Sequence, residues 1–357
     1  MSFIEIKEQR LRDILSNIKS KRICVFGDFY LDRYSIGIME AISREAPIPI
    51  IRLKHVNSTM FTPGGAGNVA LNLADLGACV CVAGIRGHDT FGNELESRLN
   101  EKQIDTKNLI VAEDRVTGAF EKFYASAYHS RIQQVARADT ECAKSISIAQ
   151  EARLIKAIES ELSDSDAFIF ADYAEIPGTG VITEKIIEFT SNLAIMNKET
   201  VFVGDSRLRI EQFKNMVCVP NDYEAAMATG MYKSHSSPEI DDETVQRSGR
   251  ILAKRLNKSL FVTKGDKGIA IFDKNGAMTI KQTLPLQGEI DPTGAGDTVA
   301  SAIAAGLSTG AGFEEVAEIA NMSARVTVGK VGTTGTATPN EILATYEILK
   351  DTKFADQ

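Results

Sequence analysis

The segment that decides the fold reads DPTGAGD at residues 291–297 and runs directly into the apolar stretch TVASAIAAG at residues 298–306. A glycine-rich turn followed by an apolar stretch predicts the start of a helix. The free N–H groups and the positive dipole end of a helix N-terminus favour bound anions. We therefore predict an anion hole formed by the backbone amides of Gly294, Ala295 and Gly296.

Asp297 closes this segment and is the candidate general base. In phosphoryl transfer, fixed donors stabilise the charge on the transferred group, and a neighbouring carboxylate can accept the proton of the attacking hydroxyl. The alternative is that Asp297 only caps the helix while the glycines form a tight turn. A capping aspartate is common, but one that follows DPTGAG is rare, which favours catalysis.

Strands and helices alternate along most of the remaining chain. The apolar patterns predict strands near 22–29, 80–85, 167–171, 200–205, 216–219, 259–263 and 268–273, and helices near 67–76, 91–101, 149–162, 180–196, 241–256, 295–308, 313–328 and 339–350. This alternation predicts an α/β fold, in which helices flank a wound and mostly parallel sheet.

Two segments interrupt the alternation with β-like patterns, at about residues 33–62 and 115–138. We predict that they combine into a small β-sheet lid. Residues 1–20 are predicted to form a helical extension. Residues 21–350 are predicted to form one domain, because no repeat or low-complexity linker divides them.

The composition excludes several classes of protein. The 357 residues are 43% hydrophobic and 25% charged, and the net charge is −8, with the basic residues scattered along the chain. A nucleic-acid partner is therefore not expected. The sequence has no apolar run of about 18 residues, and its N-terminus is too charged for a signal peptide. We expect a cytoplasmic protein without a membrane partner.

Five ordered segments together resemble the ribokinase-like (PfkB) carbohydrate kinases. They are GDFYLDR (27–33), PGGAGNVALNLADLG (63–77), VPNDYEA (219–225), VTKGDKG (262–268) and DPTGAGD (291–297). The resemblance covers roughly residues 20–350. It implies a ribokinase-like wound sheet flanked by helices with a small β-sheet lid, and transfer of the γ-phosphoryl group of ATP, with Mg²⁺, to a sugar hydroxyl.

Within this family the chain looks most like the heptose-7-phosphate kinase group. The segments that carry this likeness are GDFYLDRYSIG (27–37), SREAPIPI (43–50), RIQQVARADTE (131–141) and VTVGKVGTTG (326–335). The implied acceptor is the anomeric hydroxyl of D-glycero-D-manno-heptose 7-phosphate. The sequence departs from the group at DYAEIPGTG (172–180), which is longer than the usual DYGKG turn and lacks its lysine.

Two alternatives stay open at this point. Another sugar, such as ribose, fructose or a nucleoside, could be the acceptor, or the chain could be a catalytically silent regulator that binds a sugar or nucleotide. No nucleotidyltransferase segment follows residue 350. A heptose kinase of this kind is therefore expected to work with a separate adenylyltransferase.

The candidate acceptor-binding residues follow the first strand and the first glycine-rich segment. Carboxylates of Asp28 and Asp32 could accept hydrogen bonds from sugar hydroxyls at the edge of a sheet. Gly64 and Gly65 allow close backbone approach, and the Asn68 amide can both donate and accept. The alternative is that the two aspartates are solvated loop carboxylates and that the glycine segment is only a turn followed by a helix cap.

The segment 131–141 supplies further acceptor candidates, Gln133 and Arg137. A planar guanidinium suits an acceptor that already carries a phosphate. Strand alternation predicts that Arg131, Gln133 and Arg137 share one face, with Gln134 on the other. A solvated lid surface is the alternative.

The family resemblance associates the N-x-x-E pair Asn221 and Glu224 with hydrated Mg²⁺ and phosphates, although a capping box would explain the same spacing. Further nucleotide candidates stand at the ends of predicted strands; they are Thr263, Lys264, Gly265, Asp205 and Arg207. The resemblance also suggests a monovalent cation such as K⁺ near Asp291 and Thr293. Unpaired lid edges suggest a homodimer through the lids.

Overall fold

A nine-stranded sheet forms the centre of the computed structural model, which describes residues 4–127, 130–233 and 239–352. We call it the central sheet. Its strands, in spatial order, are β14 (Met278–Lys281), β13 (Ile269–Phe272), β12 (Leu260–Thr263), β11 (Val217–Cys218), β10 (Val201–Ser206), β9 (Ala167–Asp172), β1 (Arg22–Gly27), β5 (Cys79–Gly87) and β6 (Asp105–Ala112). The strands from β6 to β12 pair in parallel, and β13 and β14 add an antiparallel hairpin at one edge.

Helices cover both faces of the central sheet. They are α1 (Glu8–Ile18), α2 (Ala66–Asp75), α3 (Thr90–Glu101), α4 (Ile148–Glu161), α5 (Glu184–Met196), α6 (Asp222–Ala228), α7 (Asp242–Leu256), α8 (Ala295–Ser308), α9 (Phe313–Val328) and α10 (Pro339–Leu349). Side chains of β1 alternate between two apolar layers: Ile23 and Val25 pack with α1 and α8, and Cys24 and Phe26 pack with α4 and α7. The predicted α/β fold is confirmed.

Five further strands form a second, smaller sheet, which we call the lid sheet. They are β2 (Phe29–Ile42), β3 (Pro49–Arg52), β4 (Thr59–Gly65), β7 (Gly118–Ser126) and β8 (Gln133–Thr140). β2 pairs in parallel with β7 and antiparallel with β3 and β4, and β8 adds to β7. Because β2 follows β1 after one residue, the lid sheet joins the central sheet at the carboxyl end of β1.

Several observed elements differ from the predicted ones. Strand β6 and the short helix α6 were not predicted, and α5 begins at Glu184, where Thr183 caps it by accepting from the N–H of Ile186. Across the described ranges, no helix combines the length and apolar character needed to cross a bilayer.

Candidate active site

The candidate residues collect where the carboxyl ends of β1, β9 and β10 meet the first turns of α2 and α8. This is the edge at which open α/β sheets bind ligands. Asp297 lies in the first turn of α8, and Asn68 lies in the first turn of α2. Asn68 Nδ2 donates to Asp297 Oδ2 at 2.6 Å. Burial raises the pKa of Asp297, while hydrogen bonds from Asn68 and Tyr173 act to lower it. The contact orients the carboxylate of the candidate base.

The turn before α8 has the conformation that its glycines predict. Gly294 adopts φ 81° and ψ 3°, and a Cβ there would lie 2.7 Å from Asn68 Nδ2. The N–H of Ala295 donates to the carbonyl of Pro292 at 3.1 Å. This amide is therefore used by the turn, which removes one of the three predicted donors. A Cβ on Gly296 would meet no atom within 4 Å, so the space beside this residue is open. Its N–H lies in the first turn and has no acceptor within the helix.

Asp32 lies on β2 and is buried, yet only one of its carboxylate oxygens is paired. Oδ2 accepts from Lys122 Nζ at 3.1 Å and from Thr334 Oγ1 at 3.1 Å, and the hydroxyl of Tyr34 lies 3.4 Å away. Oδ1 is buried and has no partner among the described residues. A buried carboxylate oxygen without a donor is costly, so this oxygen is suited to a ligand hydroxyl.

Asp28 has a different environment, which argues against a direct role with a sugar. Its Oδ1 accepts from the N–H of Val181 at 2.7 Å, and its Oδ2 accepts from the N–H groups of Tyr173 and Ala174 at 3.0 and 3.1 Å. Burial, together with the charge of Asp172, raises the pKa of Asp28 to about 6. The carboxylate fixes the loop after β9.

Gly64 and Gly65 bring the end of β4 close to both aspartates. A Cβ on Gly64 would lie 3.0 Å from Asp32 Oδ1, and one on Gly65 would lie 2.7 Å from the carbonyl oxygen of Asp28. Gly65 also has φ 56°. A side chain at Gly64 would fill the space in front of the unpaired oxygen of Asp32.

Tyr173, which the sequence analysis did not select, links two carboxylates. Its hydroxyl donates to Asp205 Oδ2 at 2.5 Å, and its pKa is raised by burial and by the charges of Asp205 and Asp297. Burial raises the pKa of Asp205 to about 7, against the effect of this hydrogen bond. The guanidinium of Arg207 lies 5.3 Å from the centre of the Tyr173 ring. These contacts connect the end of β10 with the candidate base.

Asn221 and Glu224 form the capping box of α6, as the structural alternative proposed. Asn221 Oδ1 accepts from the N–H of Glu224 at 2.7 Å, and Glu224 Oε2 accepts from the N–H of Asn221 at 2.9 Å. Burial, with the charge of Asp205, raises the pKa of Glu224 to about 8. A buried carboxylate whose pKa is raised further by a second carboxylate suits a nearby divalent cation.

The residues fit Mg²⁺ bound through water better than a dedicated metal cage. Within the described ranges, no group of three or more His, Cys, Asp or Glu side chains could hold a metal ion. Magnesium keeps several waters and commonly uses one or two carboxylates together with substrate phosphates. Glu224 and Asp205 provide that donor set.

A cavity of about 350 Å³ opens beside the turn before α8. Its lining is mostly apolar and includes Leu284, Leu286, Ile290, Val299, Val328, Thr263, Gly265, Gly296 and Asn321. Lys264 does not line it. Its buried ammonium pairs with Asp242 at 2.8 Å, and its contact with a phosphate stays a prediction. The cavity has the size and apolar walls that suit a purine base.

A β-bulge decides which side chains of β8 share a face with Asp32. Tyr34, Lys122 and Arg137 lie in one row across β2, β7 and β8, on the face that carries Asp32, and we call it the inner face. The guanidinium of Arg137 lies 4.4 Å from the centre of the Phe120 ring.

The pairing of β7 with β8 shifts register after Phe123, so Gln134 pairs with Tyr124 and Gln133 pairs with Ala125. Tyr124 is on the inner face because it lies two residues from Lys122. The prediction that Gln133 shares the face of Arg137 was therefore wrong, and Gln134 takes that place. The extra residue in the strand, Val135, inverts the alternation.

Asp291 connects the turn before α8 with the loop after α9. Its Oδ1 accepts from the N–H of Thr293 at 3.0 Å, and its Oδ2 accepts from the N–H of Gly332 at 3.2 Å. That loop also supplies Thr334, whose hydroxyl bonds to Asp32 and lies 2.6 Å from the hydroxyl of Tyr34. In the sequence, Thr334 belongs to the VTVGKVGTTG segment, which indicated the family resemblance but no role for this residue.

A glycine turn at the N-terminus of α8, a buried carboxylate and a neighbouring apolar cavity are the features expected of a phosphotransferase that acts on an alcohol group. The chain belongs to the pfkB family of carbohydrate kinases, because the model of that family matches residues 31–340. This match places the chain among the phosphotransferases that act on an alcohol group.

Solved structures of other proteins share the fold. Arabidopsis thaliana ribokinase, complexed with ribose and ATP, superposes with a TM-score of 0.67 at 18% identity and covers 91% of this chain and 98% of its own. Escherichia coli phosphofructokinase-2, in complex with fructose-6-phosphate, gives 0.69 at 17% identity, covering 92% and 99%. These likenesses show the ribokinase-like fold.

Curated relatives are more similar in sequence. The bifunctional protein HldE of Aliarcobacter butzleri is 35% identical over 91% of this chain and 64% of its own length. The HldE of Gluconacetobacter diazotrophicus is 32% identical over 90% and 63%. The chain thus spans under two thirds of the length of these relatives.

Proposed function

We propose that this kinase transfers the γ-phosphoryl group of ATP to the anomeric hydroxyl of D-glycero-D-manno-heptose 7-phosphate. The observation that carries the kinase chemistry is the placement of Asp297 in the first turn of α8, bonded to Asn68 and close to the open amide of Gly296. The heptose acceptor is supported by the sequence likeness in segments 27–37, 43–50, 131–141 and 326–335.

In the proposed mechanism, Asp32 Oδ1 accepts a hydrogen bond from a sugar hydroxyl and so orients the acceptor. Asp297 takes the proton of the attacking hydroxyl as its oxygen bonds to the γ-phosphorus and the bond to ADP breaks. The raised pKa of Asp297 increases its affinity for that proton. The amides of Gly294, Gly296 and Asp297 stabilise the charge on the phosphoryl oxygens.

Cations complete the proposed site. When bound, Mg²⁺ neutralises the β- and γ-phosphates, and Glu224 and Asp205 would hold it through water. A monovalent cation such as K⁺ is proposed beside Asp291 and Thr293, where it would bind mainly backbone carbonyl groups. On the nucleotide side, Thr263 and Gly265 would line the base cavity.

The phosphate of the acceptor is proposed to bind at the inner face. Arg137 and Lys122 lie on adjacent strands in one row of that face. Lys122 is held by Asp32 and the Tyr34 hydroxyl, whereas Arg137 is partly exposed and pairs with Asp139 at 2.7 Å. A sugar phosphate could replace this exposed ion pair, because such pairs contribute little stability.

The test is release of ADP from Mg·ATP with a panel of acceptors: heptose 7-phosphate, ribose, fructose and fructose phosphates. Turnover with heptose 7-phosphate alone, abolished in Asp297→Asn, is expected. Turnover with a different sugar would keep the kinase and reject the acceptor. If no acceptor in the panel supports turnover, the silent regulator, which binds sugar or nucleotide without catalysis, becomes the better reading.

We also propose that two copies associate through their lid sheets. Ile42, Ile48 and Leu53 of the lid region are exposed apolar side chains, and β3 and β8 leave unpaired strand edges. Light scattering at micromolar protein concentration is expected to give the mass of a dimer. A monomeric mass would contradict this arrangement.

A further inference from the structure

Arg207 occupies a position between the two substrate sides of the site. It directly follows β10, which has β9 on one side and β11 on the other. Through β9 the sheet leads to β1 and the lid sheet, where Asp32 lies, and through β11 it leads to β12, whose end lines the base cavity. A side chain at the end of β10 therefore lies between the base cavity and Asp32, on the path of a phosphoryl group from the nucleotide to the acceptor.

The guanidinium of Arg207 contacts one carboxylate and one aromatic ring and keeps free hydrogen-bond donors. Its Nη1 donates to Glu175 at 2.9 Å, and its plane lies 5.3 Å from the centre of the Tyr173 ring. Nε and Nη2 have no hydrogen-bond partner among the described residues, and the side chain is 44% exposed. The three N–H groups at Nε and Nη2 are thus available to a ligand.

The charge of Arg207 acts on the carboxylates of the site. It lowers the pKa of Asp297, of Asp205 and of Glu224, each against the raising effect of burial. Lys122 and Lys264 are buried against carboxylates, whereas Arg207 is exposed and, within the described part of the chain, keeps Nε and Nη2 unpaired beside its ion pair with Glu175. Lys122 bonds to Asp32, and Lys264 pairs with Asp242. The geometry leaves Arg207 as a cation that can serve a phosphoryl group.

We propose that Arg207 is a catalytic residue that donates hydrogen bonds to the non-bridging oxygens of the phosphoryl group during its transfer. This inference rests on the proposed function. The acceptor oxygen bonds to the γ-phosphorus, the bond to the β,γ-bridging oxygen breaks, and the acceptor proton goes to Asp297. Arg207 keeps its proton throughout and stabilises charge from the β10 side, while the amides of the α8 turn act from the other.

The first experiment compares kcat for wild type, Arg207→Ala, Arg207→Lys and Arg98→Ala. An arginine that stabilises the transferred group contributes on the order of 10³-fold or more, so Arg207→Ala is expected to lower kcat by about that factor, with a smaller change in KM for ATP. Arg207→Lys keeps the positive charge but lacks the planar guanidinium, so its kcat should lie between those of wild type and Arg207→Ala. Arg98, 37% exposed and paired with Glu94 on α3, provides the matched control, which should keep wild-type kcat.

A second experiment separates a catalytic role from a structural one. Added guanidinium ion should restore part of the activity of Arg207→Ala and none of that of Asp297→Asn. In calorimetry, Arg207→Ala should weaken binding of ADP with aluminium fluoride, which mimics the transferred group, more than binding of ADP alone.

The outcomes distinguish the role of Arg207 from the proposed kinase function. An active wild type whose Arg207→Ala variant loses less than about tenfold in kcat would overturn the role of Arg207 and leave the proposed kinase intact. A wild type without turnover on any acceptor would overturn the proposed function instead. Equal weakening of ADP and ADP with aluminium fluoride would also contradict the inference.

Discussion

Asp28, at the edge of the central sheet, and Asp32, on the lid sheet, lie four positions apart and are both buried. Three backbone N–H groups use the carboxylate of Asp28, and these contacts hold the loop after β9. Asp32 has one oxygen in a network of side chains and one oxygen without a partner. At the junction of the two sheets, Asp28 thus stabilises a loop of the central sheet, whereas Asp32 on the lid sheet has an oxygen that can bind a ligand.

The two regions also differ in how their charges are balanced. At the edge of the central sheet, burial raises the pKa of Asp28 to about 6, of Asp205 to about 7 and of Glu224 to about 8. On the lid sheet, Lys122 lies 3.1 Å from Asp32. The edge of the central sheet therefore suits cations and the phosphates that they accompany, whereas the inner face of the lid suits hydroxyl groups.

Among the substitutions that compare the two sheets, Asp32→Asn should give the largest effect. The amide cannot reproduce both acceptor oxygens, so kcat/KM for the acceptor should fall on the order of 10²- to 10³-fold through a lost charged hydrogen bond and poorer orientation. KM for ATP should change little, because Asp32 belongs to the lid side. Steady-state kinetics with each substrate varied will measure both. Equal losses of kcat/KM for the acceptor and for ATP would contradict the assignment of Asp32 to the acceptor side.

Asp28→Ala should act on stability instead. Removal of the carboxylate leaves three buried N–H groups without their acceptor, and we expect the free energy of unfolding to fall by about 3 kcal/mol. Chemical denaturation will measure this change, with the exposed Asp164→Ala as control. An unfolding free energy equal to that of wild type would show that the contacts of Asp28 do not hold the loop.

Asp205→Asn should change the pH dependence of stability. The folded-state pKa of about 7 lies above the unfolded value of about 3.9, so the folded state binds the extra proton between these values. Its contribution to stability is therefore present at low pH and is lost as pH rises through 7, by up to about 1.4 kcal/mol per pH unit. The variant should show a shallower fall in unfolding free energy between pH 5 and 7. Identical slopes in variant and wild type would contradict the raised pKa that burial gives to Asp205.

The central sheet and the α8 turn could be predicted because local patterns determine them. Buried parallel strands appear as apolar runs, and DPTGAGD requires the positive φ that Gly294 adopts. Such signals are contained in a few consecutive residues. The family segments likewise brought Asp297, Asn68 and Asp32 into one prediction, although only the structure shows which of them touch.

The lid was less predictable because its side chains are arranged by pairing between distant segments. Lys122 and Thr334 lie 90 and 302 positions from Asp32, and neither stands in a pattern that identifies its partner. Tyr173 similarly acquires its contact with Asp205 through the fold. The bulge in β8 depends on its register with β7 and reverses a simple alternation.

The pair Gln133 and Gln134 gives the smallest effect and the sharpest test of that register. Because Gln134 pairs with Tyr124 on the inner face, Gln134→Ala should raise KM for the acceptor by about tenfold, the value of one or two lost hydrogen bonds. Gln133→Ala should leave KM unchanged, since Gln133 pairs with Ala125 on the opposite face. Both side chains are exposed, so unfolding free energies should match that of wild type. The reverse ranking of the two variants would mean that β8 follows simple alternation when the acceptor is bound.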